Sequence, residues 1–65
     1  MTEPPISLLR LPAVLQRTGL SRSQLYRLIA AGKFAPPHHL AGTRASAWSS
    51  EDVNQWIRQQ IGETA

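Results

Sequence analysis

The 65-residue chain contains no cysteine, so neither a disulfide nor a thiolate metal site can staple it. It has no apolar run of membrane-spanning length. Met1 to Pro5 lacks the basic region and apolar run of a secretory leader, so none is expected. Acid is scarce and unevenly placed. Glu3, Glu51, Asp52 and Glu63 are the only carboxylate side chains, and none lies between Pro4 and Ser50. That same interval holds Arg10, Arg17, Arg22, Arg27, Lys33 and Arg44, and the net charge is +3. The middle of the chain therefore carries a field of one sign, as a surface that meets phosphate does.

Length excludes as much as composition. A domain this small buries only about 60% of its unfolded surface, so its core is marginal and leaves little room for a substrate pocket. No serine, histidine and acid stand at a recognisable catalytic spacing. The expectation is a cytoplasmic binding protein, not an enzyme, with no cofactor, no metal and no membrane contact.

Local signals divide the chain. Residues 1–7, with Pro4 and Pro5, read as a flexible arm, and Leu8 to Leu11 as a short extended lead-in. Pro12 to Thr18 predicts a first helix, because proline suits a first turn whose N–H groups have no partner. Gly19 supplies its left-handed stop. Ser21 with Gln24 three residues on forms a capping box, and Leu20 with Leu25 a hydrophobic staple. Both devices start a second helix that runs to about Ala31, with Gly32 as its stop. Leu25, Leu28 and Ile29 make its buried stripe. At about 100° per residue, Ser23 and Arg27 centre the opposite face. Two short helices around Gly19-Leu20-Ser21 are a helix-turn-helix, with the second helix, about 21–31, as the recognition helix.

Pro36, Pro37 and Gly42 rule out a helix from Phe34 to Trp48. His38 to Leu40 and Ala45 to Trp48 can instead pair around residues 41–44 as a two-stranded β wing, with Arg44 near its tip. A last helix runs from Ser49 to Ile61. Ser49 with Asp52 makes a second capping box, and Glu51 and Asp52 suit the helix dipole. Val53, Trp56, Ile57, Gln60 and Ile61 follow the helical period. Both Trp56, as a large buried aromatic on that stripe, and Trp48, which closes the wing, are expected in the core rather than as stacking platforms for bases. The fold expected is mainly α: a three-helix winged helix-turn-helix over residues 8–62, followed by a frayed tail at 63–65.

The candidate contacts follow from this placement. Arg27 and Ser23 suit base edges in the major groove, since arginine forks onto guanine and serine bonds several bases. Arg22, Gln24 and Tyr26 suit phosphate and sugar, and Tyr26 equally suits packing under the wing. Arg44 suits the minor groove, whose negative potential attracts arginine. Lys33 suits a phosphate or the dipole of the helix end. Adjacent His38 and His39 would point to opposite faces of a strand, so they cannot easily share one ion, although one could reach a phosphate.

Leu9 to Leu11, the run Val14 to Ser23 with its Thr-Gly-Leu-Ser turn, Leu25 to Ile29, Gly32 to Phe34, Pro36 to Leu40, Arg44, Trp48, Val53 and Trp56-Ile57 together resemble the AlpA family of prophage regulators. The resemblance spans nearly all of residues 8–61. It implies a winged helix-turn-helix of the excisionase and MerR-like type that binds double-stranded DNA near genes of prophages or mobile elements. The chain departs from the family pattern at Leu11-Pro12, where a polar cap is common, and at Ala41 to Thr43, a slightly longer wing turn.

Three functions fit to different degrees. The first is a sequence-specific transcriptional regulator, with RNA polymerase or an integrase as a further partner class. The second is an excisionase that bends DNA for a recombinase. The third is a protein-interaction module, which the polar and basic Arg22, Ser23, Gln24 and Arg27 argue against. Self-association on DNA through the Trp56 helix stays open.

Overall fold

A computed structural model describes residues 6–62. Residues 1–5 of the expected arm and the expected fraying of 63–65 lie outside it. The elements in order are β1 (Leu8–Leu9), α1 (Leu11–Thr18), α2 (Arg22–Ala30), β2 (His38–His39), β3 (Ser46–Ser49) and α3 (Ser50–Gln60). The chain is thus mainly helical with a small antiparallel sheet, as a winged helix-turn-helix requires.

Capping decides where the helices begin. Ser21 Oγ accepts from the Gln24 backbone N–H at 3.2 Å. Gln24 Oε1 accepts from the Ser21 N–H at 2.9 Å, so the box is reciprocal. Ser49 Oγ accepts from the Asp52 N–H at 3.1 Å and starts α3. The turn between α1 and α2 is fixed just as locally. Gly19 takes φ 74° and its N–H returns to the Leu15 carbonyl. Thr18 Oγ1 donates to the Val14 carbonyl and accepts from the Leu20 N–H. Helix α1 starts at Leu11, one residue earlier than expected, so Pro12 sits second in the first turn, where its missing N–H still has no helical partner to lose.

The sheet is larger than the expected two-stranded wing. His38 pairs with Ala47 and His39 with Ser46, and Leu40 N–H reaches the Ala45 carbonyl. The lead-in then adds a third strand: Leu8 pairs with Ser49 and Leu9 with Trp48, giving the order β1-β3-β2. The reason is that β3 would otherwise leave one row of backbone groups unpaired. Ser7 continues the tie, with its N–H on Ser50 Oγ at 2.9 Å and its carbonyl accepting from the Ser50 N–H at 2.7 Å. The proposed boundary of the arm therefore falls before Ser7, not after it.

Val14, Leu25, Phe34, Trp48 and Val53 form the buried cluster. Leu9, Leu11, Leu15, Leu20, Leu28, Ile29, Trp56 and Ile57 pack around it. Trp48, only 1% exposed, is the largest fully buried side chain, and its Nε1 donates to the Ala35 carbonyl at 3.1 Å. Trp48 is core as expected, whereas the expectation that Trp56 is a large buried aromatic is corrected: Trp56 is half-buried and lies against Phe34 at the margin of the core. Ile61, expected on the apolar stripe, is 67% exposed because it follows the last helical turn.

Two stability tests follow. Trp48→Ala should cost about 3–5 kcal/mol, a large part of the roughly 3–10 kcal/mol such a domain possesses. Trp56→Ala should cost about 2 kcal/mol, because only part of its surface leaves water. Thermal unfolding followed by circular dichroism ranks them, and an equal or reversed order would mean that the core is centred on α3. Ser21→Ala should remove about 1 kcal/mol, read as a lower urea midpoint with an unchanged slope. An unchanged midpoint would show that the box does not hold the start of α2.

Candidate nucleic-acid interface

Helix α2 buries Leu25, with Leu28 and Ile29 half-buried beside it, and turns everything else outward. Arg22, Ser23, Gln24, Tyr26 and Arg27 are all exposed, as are Lys33 and Arg44. Ser23 and Arg27 stand one turn apart opposite the buried stripe, and Ala30 continues that face without bulk. Arg22 and Tyr26 form the neighbouring ridge. No acid lies in the first turn of α2.

Tyr26 takes up the expected packing role only in part. Its ring meets Trp48 edge-on at 6.4 Å between centroids, yet the residue stays 45% exposed. The apolar ring thus leans on the wing while part of the side chain faces solvent. Gln24 is partly committed: its Oε1 is held in the capping box, which leaves its amide NH2 as a donor.

Arg44 lies in the turn between β2 and β3. That turn is closed by Thr43, whose Oγ1 donates to the Leu40 carbonyl and accepts from the Ala45 N–H. The closure presents Arg44 at the tip without enclosing it. Lys33 lies past the end of α2, where its N–H returns to the Leu28 carbonyl. It lines a shallow cleft with Ile29, Phe34, Asp52, Gln55 and Trp56. The structure therefore groups Arg22, Ser23, Gln24, Tyr26 and Arg27 on one helix. It sets Arg44 on the wing and Lys33 beside α3.

Two contacts were not legible in the spacing. Arg17 donates to Asn54 Oδ1, tying α1 to α3, so this arginine is spent inside the fold. His38 Nε2 stands 3.6 Å from Asp52 Oδ2, an exposed contact between β2 and the start of α3. Asp52 thus meets the wing through its carboxylate and the cap through its N–H. The parity of β2 against β3 could have placed His38 on that side, but not the approach of Asp52. Among the described residues, no group of three or more histidine, cysteine or acid side chains could hold a metal ion. No described helix is long and apolar enough to cross a membrane.

Residues 7–61 match the family model described as prophage CP4-57 regulatory protein (AlpA). The chain is 42% identical over 53 residues to the uncharacterized protein ORF88 of Enterobacteria phage P4, across 82% of this chain and 59% of that protein. It therefore spans about three fifths of that relative's length. It is also 27% identical over 60 residues to the DNA-binding transcriptional activator AlpA of Escherichia coli (strain K12), across 85% of this chain and 86% of that protein. No solved structure gives a significant match.

Proposed function

The chain belongs to the AlpA family of prophage regulatory proteins, and on that premise we propose that it is a sequence-specific regulator that binds double-stranded DNA in the cytoplasm. Helix α2 enters the major groove, and the wing lies beside it with Arg44 toward the minor groove. The observation that carries this reading is the outer face of α2. Arg22, Ser23, Gln24 and Arg27 are exposed there together, with no acid and no large aliphatic side chain among them. An interaction module of this size would need an apolar centre on such a face, and the half-exposed Tyr26 already leans on Trp48.

The roles divide by position. Arg27 and Ser23 face furthest from the core and meet base edges. Arg22, Tyr26 and the free amide of Gln24 lie nearer the edges of the groove and meet phosphate and sugar, which orient a helix without reading sequence. Arg44, on a narrow turn, enters the adjacent minor groove. Lys33 makes an outlying phosphate contact beyond the helix end. The name of the Escherichia coli relative supports a role in transcription.

The test compares two arginines on a duplex selected from a random library and on a scrambled one, each over a salt series. Arg27→Ala should cost about 1–3 kcal/mol on the selected duplex and relax preference at one base position. Arg44→Ala should weaken both duplexes alike and reduce the salt slope by about 0.9. Fluorescence anisotropy reads both. Should Arg27→Ala bind both duplexes as tightly as the parent chain, α2 is not the recognition helix.

A further inference from the structure

Strand register separates the two adjacent histidines. Paired residues of an antiparallel ladder share a face, and successive residues alternate. His39 pairs with Ser46, and Trp48 stands two residues beyond Ser46 on the same strand, paired with Leu9. His39, Ser46, Trp48 and Leu9 therefore occupy one face of the sheet. His38, Ala47, Ser49 and Leu8 occupy the other, and it is His38 that meets Asp52. The face that holds His39 is the one turned to α2, because Trp48 meets Tyr26 there. Both His39 and Ser46 are exposed. They stand between the Tyr26–Trp48 contact and the turn that carries Arg44.

That position has a meaning once a helix lies in the major groove and a wing tip in the next minor groove. The phosphate strand dividing the two grooves must then pass between α2 and the tip, along the inner face of the wing. We propose that the His39–Ser46 pair grips this phosphate strand and that His39 takes up a proton as it does so. The inference rests on the DNA-binding reading and adds a contact and a pH response to it.

The charges around His39 fix the sign. Its side of the sheet meets α2 through Tyr26; that helix also carries Arg22 and Arg27 and has no acid, and the adjoining turn carries Arg44. His38 and Asp52 lie across the sheet, and the remaining described acid, Glu51, is in the first turn of α3. A bound phosphate places an opposite charge beside the imidazole and so favours its charged form. Binding then takes up a proton, so by linkage affinity rises as pH falls through the histidine range. Ser46 supplies a hydroxyl donor at every pH.

The experiment measures anisotropy of a labelled mixed-sequence duplex at low ionic strength from about pH 5 to about pH 8. The full chain is compared with His39→Gln, His39→Lys, His38→Gln and Ser46→Ala, each first shown by circular dichroism to be folded. The parent chain should bind several fold more tightly at the acid end, with a salt slope steeper there by about 0.9. His39→Gln should lose that pH-dependent difference, and His38→Gln should keep it. His39→Lys should bind at the acid-end affinity throughout, and Ser46→Ala should be weaker at every pH alike. If His39→Gln keeps the full pH response, or if His38→Gln is the variant that loses it, the assignment is overturned. Binding by the parent chain that does not change with pH overturns this inference and leaves the DNA reading intact. Absence of binding at any pH overturns both.

Discussion

The buried indole of Trp48 is the constraint on which the rest of this fold depends. Its backbone lies in β3 and pairs with Leu9, which brings the lead-in onto the sheet. Its Nε1 is satisfied by the Ala35 carbonyl, which fixes the chain between α2 and β2. Its ring meets Tyr26, which fixes the wing against α2. Three other segments of the chain are thus located by one residue. In a core of five buried residues no other group is large enough to do this. The distance between α2 and the wing tip is a property of that packing, and under the proposed reading it is the distance that has to match the spacing between two grooves.

Features encoded within a few residues were legible, and features that need two distant segments were not. The Ser21–Gln24 box, the left-handed Gly19 and the outward face of α2 each follow from residues at most one or two turns apart. The reading of Trp56 as a large buried aromatic followed from helical period, which marks a side of a helix but not how deep that side sits. Trp48 was legible as core from its place at the close of the wing, but a strand of four residues has too little alternation to show that it would be the deeper of the two. The pairing of β1 was hidden for the same reason: two leucines before a helix carry no register until a partner strand exists. Asp52 was readable as a cap residue from its spacing to Ser49, whereas its approach to His38 depends on how α3 leaves the sheet. On the candidate interface, the helical period selected Arg22, Ser23 and Arg27. The capping box already implied that Gln24 would be half committed to its own cap, but nothing in the period showed that Lys33 would line a cleft against α3.

Under the proposed reading, the sheet uses its two faces for different electrostatic work. An acid beside a phosphate-binding surface opposes it, yet α3 needs acids in its first turn to satisfy its dipole. The fold resolves this by parity. Asp52 meets His38 on one face, while His39, the next residue, is turned to the side shared with α2. A shift of one residue in the register of β2 would exchange the two imidazoles and bring the acid-paired one to the α2 side. The turn closure by Thr43 and the Leu40–Ala45 backbone bond hold that register where the strand itself, two residues long, is too short to do so.

The starts of α2 and α3 make the same point as a controlled comparison within one chain. Both begin with a serine whose hydroxyl accepts the third N–H of the helix. In α3 the first turn carries Glu51 and Asp52, as the positive end of a helix dipole favours. In α2 the equivalent positions hold Arg22, Ser23 and Gln24, so a cation sits at the positive end and the box is closed by a neutral amide. Intrinsic stability alone would favour glutamate at position 24, which makes the same capping box and adds a dipole contribution of about 0.3–1 kcal/mol. The chain forgoes that contribution at one helix and takes it at the other. Local preferences that are obeyed in one place and broken in another mark where function overrides folding. Under the proposed reading, the negative charge that the start of α2 lacks is supplied by the phosphates of bound DNA, and a glutamate there would repel them.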